Sequence, residues 1–179
     1  TLVVDKTGTL TEGRPAVVGI AATAGFTEDE VLRLAASTER GSEHPLGRAV
    51  VDGAKKRGVE AQSPLRFAAE AGRGVTADVG GKKVAIGSRA TLPSGAAETG
   101  ALQALAAPLA EKGRSLLFVT VDGRPAGVLG VTDSVKARAK DLVRALQERG
   151  IHIAMRTGDG ERAARAVAEE LGIADFAAD

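Results

Sequence analysis

Asp5 stands where an apolar run, Leu2-Val3-Val4, meets a polar stretch with a central glycine, Lys6-Thr7-Gly8-Thr9-Leu10-Thr11. Three consecutive large apolar residues read as a short buried strand, and the polar, glycine-containing stretch ends it. A strand that delivers a carboxylate to such a turn suits an open α/β sheet, whose sites lie at the carboxyl ends of the strands. A carboxylate there can attack a phosphoryl group and become an aspartyl phosphate. The residues that follow suit the same task. Lys6 supplies positive charge, Thr7 and Thr9 supply hydroxyls, and Gly8 lets backbone amides approach phosphate oxygens. Gly13-Arg14-Pro15 is expected to break any regular continuation.

The far end of the chain has the texture that makes such a sheet. Strands are predicted at Ser115–Val121 and 126–131 with an Asp122-Gly123 turn between them, then a helix over 135–149. A strand at 151–155 and a helix at 161–171 follow. That alternation implies a parallel sheet with helices on its faces. The middle of the chain reads differently. Thr27 and Glu30 are spaced as a capping box, with Phe26 placed to staple onto Val31, opening a helix towards Arg40. Pro45 suits the first turn of a second helix that ends at Gly58. Strands at 65–69 and 75–79 precede a Gly80-Gly81 hairpin into Val84-Ala85-Ile86. A further helix runs from Glu98 to Lys112, with Gly113 as its cap. The expected organisation is an α/β, parallel-sheet domain in two segments, 1–17 and 116–179, interrupted by an α+β insert over 18–115 that contains an antiparallel sheet.

Bulk properties narrow the function. A formal net charge of +1 and only four aromatic residues, all Phe, argue against nucleic acid as a partner. The absence of Cys removes disulfides and thiolate metal sites from these residues. No apolar run approaches the length of a membrane-spanning helix. The abrupt ends, an apolar start and a strand-like Ile173-Ala174-Asp175-Phe176 finish, lead us to expect a fragment of a larger polypeptide, itself soluble.

Five further stretches carry chemistry. Glu39 lies five residues before His44 in Ser42-Glu43-His44-Pro45-Leu46; alone, the His-Pro pair is a loop residue before a helix. Gly72-Arg73-Gly74 is a tight turn and not a dinucleotide fingerprint, because Ala77 replaces the third glycine and a hairpin follows. Gly87 ends Ala85-Ile86-Gly87. Thr157-Gly158-Asp159 follows a strand, where a hydroxyl can hold a transferring phosphoryl oxygen. Asp133, three residues before Lys136, also reads as an ordinary helix N-cap.

The heptad DKTGTLT is similar to the phosphorylation signature of P-type ATPases. Glu12-Gly13-Arg14-Pro15 and SEHPL resemble the heavy-metal branch, the copper members most. The resemblance covers essentially the whole chain in motif order. It implies a haloacid-dehalogenase-like phosphorylation domain with an inserted nucleotide-binding domain, and ATP hydrolysis coupled to heavy-metal transport. Asp5 is then the phosphorylated residue, with Lys6, Thr7, Thr157, Gly158 and Asp159 beside it, and Asp5 and Thr7 serve Mg2+. Glu39, His44, Gly72, Gly74 and Gly87 face ATP, and Asp133 lies by its phosphates. Ser88 departs from the family's Asn, Gly160 from another Asn, and Arg156 from an apolar residue. The implied partners are ATP and the remaining parts of a pump, its transmembrane helices and actuator domain, with the chain as a cytoplasmic region. The transported metal is not bound in this chain. The family's later Lys and Gly-Asp-Gly-x-Asn-Asp stretch would fall past Asp179, so slow turnover is expected of these residues alone. A free-standing phosphatase of the haloacid dehalogenase type fits less well, since its second Asp is here Thr7. A binding-only nucleotide module stays open.

Overall fold

The computed structural model describes residues 1–93, 96–110, 114–158 and 160–178. Two compact units emerge: one of residues 1–15, 112–114 and 132–179, the other of residues 16–111 and 115–131.

The first unit holds a parallel sheet of β1 (Leu2–Asp5), β8 (Ile153–Thr157) and β9 (Asp175–Ala178), in the order β1-β8-β9. Val4 pairs with Met155, and Met155 with Phe176. Helices α4 (Ala139–Glu148) and α5 (Glu161–Leu171) supply Ala139, Val143, Ala164, Ala168 and Leu171 to a core with Leu10, Ile153 and Met155. The expected burial of β1 is only partial. It is the sheet's edge among the described strands, and Leu2 and Val3 are 40% and 63% exposed.

The second unit is a six-stranded sheet in the order β2-β7-β6-β5-β4-β3. Its strands are β2 (Thr11–Ala22), β3 (Leu65–Glu70), β4 (Gly74–Val79), β5 (Lys82–Gly87), β6 (Ser115–Val121) and β7 (Arg124–Val135). Helices α1 (Glu28–Glu39) and α2 (Pro45–Lys56) pack Val31, Leu32, Leu34, Ala49 and Val50 against Val84, Ile86, Val119 and Leu129. Each buried Val, Leu or Ile among them contributes about 1.5–3 kcal/mol. Helix α3 (Ala96–Ala110) joins Leu102 and Ala106 to Phe118 and Val128. The capping box at Thr27 and Glu30 forms as expected, and Phe26 packs on the same core as Val31. The cap expected at Gly113 lies outside the described residues.

Four expectations need correction. Residues 115–131 do not join the parallel sheet; β6 and β7 pair antiparallel, and β6 pairs with β5. The two-residue turn explains this, because Asp122 and Gly123 both have positive φ, 50° and 76°, and close a hairpin. Gly13-Arg14-Pro15 does not end the strand either. β2 runs through it with Gly13 at φ 66°, and Pro15 is tolerated because β2 is an edge strand. The helix expected from residue 135 begins at Ala139, because β7 keeps its strand conformation through Val135. Asp133 is therefore no N-cap. The strand expected at 151–155 lies at Ile153–Thr157, which carries it up to the hydroxyl of Thr157.

Candidate phosphoryl-transfer and nucleotide sites

In the parallel-sheet unit, β1 hands Asp5, exposed and extended at φ −77° and ψ 146°, to the turn Lys6–Leu10. Asp5 pairs in register with Arg156, so Thr157 comes one residue later on the adjacent strand end. Parallel neighbours run about 4.8 Å apart. Asp5 and Thr157 thus meet at the carboxyl edge of the sheet, where a phosphoryl group can be gripped from two strands. Lys6 is buried, Thr7 is exposed, and Gly158 is exposed with open space where a Cβ would stand. Asp159 lies outside the described residues.

The turn is not a regular helix. Thr7 has φ −78° and ψ 121°, and Gly8 has φ 76° and ψ −14°. The Thr11 amide donates to the Lys6 carbonyl, and the Gly8 amide donates to Thr11 Oγ1 at 3.2 Å. Asp133 is held against this turn, where Thr11 Oγ1 donates to its Oδ2 at 2.6 Å and the Arg14 amide to its Oδ1 at 3.0 Å.

No cluster of three or more His, Asp or Glu occurs among the described residues. Mg2+ needs none, because it keeps most of its waters and takes one or two carboxylates with substrate phosphates. The exposed carboxylate of Asp5 and the adjacent oxygens of Thr7 are hard donors that fit it.

The antiparallel unit carries the nucleotide candidates. Glu39, the last residue of α1, is only 6% exposed, and its Oε2 has no hydrogen-bond partner among the described residues. Burial pushes its carboxyl above the usual range, and the Ser42 hydroxyl opposes that shift. An orphaned buried oxygen costs about 1–3 kcal/mol, and it fits a polar ligand atom such as the amino group of adenine. His44 caps α2 as Nδ1 accepts the Leu46 amide at 3.2 Å. Because that amide can only donate, the neutral ring carries its proton on Nε2, which is left as a donor.

Gly72 (φ 76°) has open space where a Cβ would stand. Gly74 (φ 145°) has none, since a Cβ would overlap the Ile86 carbonyl oxygen and lie 2.5 Å from Gly87 Cα. Gly74 and Gly87 face each other across β4 and β5, and a Cβ on Gly87 would overlap the Arg73 carbonyl oxygen. These two glycines let the strands close on one another, a reason the glycine turn's spacing does not reveal. Ser88 stitches the turn, donating its hydroxyl to the Gly72 carbonyl at 2.9 Å, while Thr91 Oγ1 donates to the Arg73 carbonyl at 2.9 Å. Glu70, Arg73, Gly74, Thr76 and Thr91 line a cleft of about 210 Å³ that includes neither Glu39 nor His44.

Two glycines of this region went unread in the sequence. A Cβ on Gly47 would overlap Glu39 Oε2 and lie 3.0 Å from Ser42 Oγ. Its signal was a glycine in a helix's first turn, unfavourable there unless space demands it. Gly41 leaves room for the Phe67 ring, 2.6 Å from where a Cβ would be. That pairing spans 26 residues and leaves no local sign.

The family model for haloacid dehalogenase-like hydrolases matches residues 1–179. The chain is 40% identical over all 179 residues to a copper-exporting P-type ATPase of Bacillus subtilis (strain 168) and 46% identical over 179 residues to a copper-transporting P-type ATPase of Rhizobium leguminosarum bv. viciae. It spans 22% and 21% of their lengths. It also resembles the crystal structure of a zinc-transporting PIB-type ATPase in its E2.Pi state, with a TM-score of 0.83 and 34% identity. That likeness covers 98% of this chain and 28% of the other. No helix among the described residues is long and apolar enough to cross a membrane.

Proposed function

We propose, for a chain that belongs to the haloacid dehalogenase-like hydrolase family, that it is the ATP-binding and aspartyl-phosphorylation region of a heavy-metal P-type ATPase. Copper is the cargo its relatives' names favour. The observation that carries this reading is Asp5, exposed at the end of β1 beside Thr157 at the end of β8. A carboxylate oxygen of Asp5 forms a bond to the γ-phosphorus of ATP as the bond from that phosphorus to the β–γ bridging oxygen breaks. The electron pair leaves with ADP, and Asp5 holds the phosphoryl group. Backbone amides of the turn, Lys6 and the hydroxyl of Thr157 oppose the charge that develops on the phosphoryl oxygens. Asp5 and Thr7 would hold Mg2+, which supplies further charge neutralisation.

On the other unit, Glu39 and His44 serve the adenine end, and the turn at Gly72, Gly74 and Gly87 receives the nucleotide where side chains are missing. Thr7 stands where a second acidic residue would speed hydrolysis of the aspartyl phosphate, so the phosphorylated form should persist. The remaining parts of the pump, its membrane helices and actuator domain, are the expected partners, with this region on the cytoplasmic side.

Incubation with Mg2+ and γ-labelled ATP, acid quench and hydroxylamine treatment tests the reading. Label that hydroxylamine releases and that Asp5→Asn abolishes is expected. Label that survives Asp5→Asn, or no label from a folded protein that binds ATP, refutes it.

A further inference from the structure

The turn that carries the nucleophile is kinked, because Thr7 and Gly8 both leave helical dihedrals. A four-residue stretch 119 or more positions away braces it. The Lys136 amide donates to the Leu10 carbonyl at 2.9 Å, and Lys136 Nζ donates to the Gly8 carbonyl at 2.5 Å. Asp133 takes the Thr11 hydroxyl on one oxygen and the Arg14 amide on the other. The Thr11 hydroxyl also lies 3.1 Å from the Lys6 carbonyl. Its single hydrogen goes to the carboxylate, the shorter and charge-assisted bond, and its lone pair is left for the Gly8 amide.

We propose that Asp133 and Lys136 are positioning residues that clamp the turn carrying Asp5, and that neither is a ligand of the nucleotide. The proposal rests on the reading of Asp5 as the phosphorylated residue. Both oxygens of Asp133 accept from the chain itself, and one N–H of the Lys136 ammonium donates to a carbonyl three residues from Asp5. Gly8 and Leu10, the two carbonyls gripped by Lys136, flank backbone amides of the turn that follows Asp5. A slack turn would misplace both those amides and Asp5. Displacements of about 1 Å at a reacting centre can cost about 10²-fold in rate.

The test uses Thr11→Val, which keeps shape and removes the hydroxyl, Thr11→Ser, which restores it, and Lys136→Met. Three readouts are taken on the whole chain: the single-turnover rate of Asp5 labelling from Mg2+-ATP, ATP affinity by calorimetry, and amide hydrogen exchange at Gly8 and Thr11 without nucleotide. The expected result is labelling slowed about tenfold or more in Thr11→Val and Lys136→Met, recovery in Thr11→Ser, unchanged affinity, and faster exchange at Gly8 and Thr11. Unchanged labelling rates overturn the clamp while leaving Asp5 as nucleophile. Weakened ATP binding in Lys136→Met overturns the statement that Lys136 is no ligand. If wild-type Asp5 takes no label, the functional reading fails instead, and exchange alone judges the clamp: unchanged exchange in Thr11→Val refutes it.

Discussion

Replacing Gly74 by Ala should disrupt the glycine turn through the protein's own backbone before any nucleotide is involved. The added methyl would overlap the Ile86 carbonyl oxygen and lie 2.5 Å from Gly87 Cα and 2.9 Å from the Ile86 carbonyl carbon. Carbon atoms pack at about 3.5–4.0 Å, so β4 and β5 must part by about 1 Å where Gly74 pairs with Gly87. Overpacking of this kind costs about 1–3 kcal/mol. A φ of 145°, which L side chains rarely adopt, adds about 1–3 kcal/mol. The sum, about 2–6 kcal/mol, is a large part of the about 5–15 kcal/mol that holds a domain together. Gly72→Ala is the control. It has a φ of 76° but nothing within 4 Å of the new methyl, so only the dihedral term of about 1–2 kcal/mol applies. Urea unfolding of both variants, with ATP titration by calorimetry, should find Gly74→Ala the less stable by at least about 1 kcal/mol and weaker in binding. Equal stability of the two variants would refute the argument that β5 occupies the space beside Gly74.

Glu39 makes a pH-dependent prediction. Its folded carboxyl titrates above the usual carboxylate range because burial opposes ionisation. The folded state therefore holds the proton more tightly, and stability falls as pH rises from about 4.5 through the folded value. Glu39→Gln should gain stability over wild type between pH 4 and pH 7.5, by up to about 1–3 kcal/mol, in urea titrations at both pH values; a constant difference would contradict the burial argument. His44→Asn keeps a capping acceptor for the Leu46 amide but loses the imidazole. It should weaken ATP binding by about 1–2 kcal/mol with little loss of thermal stability, whereas a large stability loss with intact binding would make His44 a cap only. Thr27→Ala removes the capping box and should cost about 0.5–2 kcal/mol without altering ATP affinity by calorimetry; altered affinity would sink the separation of this cap from the site.

Local signals in the sequence found their elements because the partners are neighbours. Thr27 and Glu30 are three residues apart, and Gly80-Gly81 makes a turn whatever surrounds it. The stretch from Asp5 to Thr11 carried its candidate chemistry openly for the same reason, since carboxylate, cation, hydroxyls and glycine sit side by side. Asp122-Gly123 was equally local, and it decided the pairing of β6 with β7 against the pattern of alternating strands and helices. That pattern covers a longer stretch but constrains geometry less tightly than a two-residue turn.

What the sequence determined by itself is most of the helices and strands outside β2, a parallel sheet drawn from both ends of the chain, and the carboxylate that ends its first strand. These follow from periodicity, turn chemistry and the reactivity of one side chain, all properties of contiguous residues. The tertiary structure alone decided which distant groups complete them. Asp133 became the holder of Thr11 and not a helix cap, Gly74 and Gly87 became a mutual close approach, and Glu39 became a buried carboxyl with one oxygen unpartnered among the described residues. Each outcome depends on where strand register and helix packing bring atoms far apart in the chain. Burial and hydrogen bonding between such atoms arise only when the chain has closed upon itself.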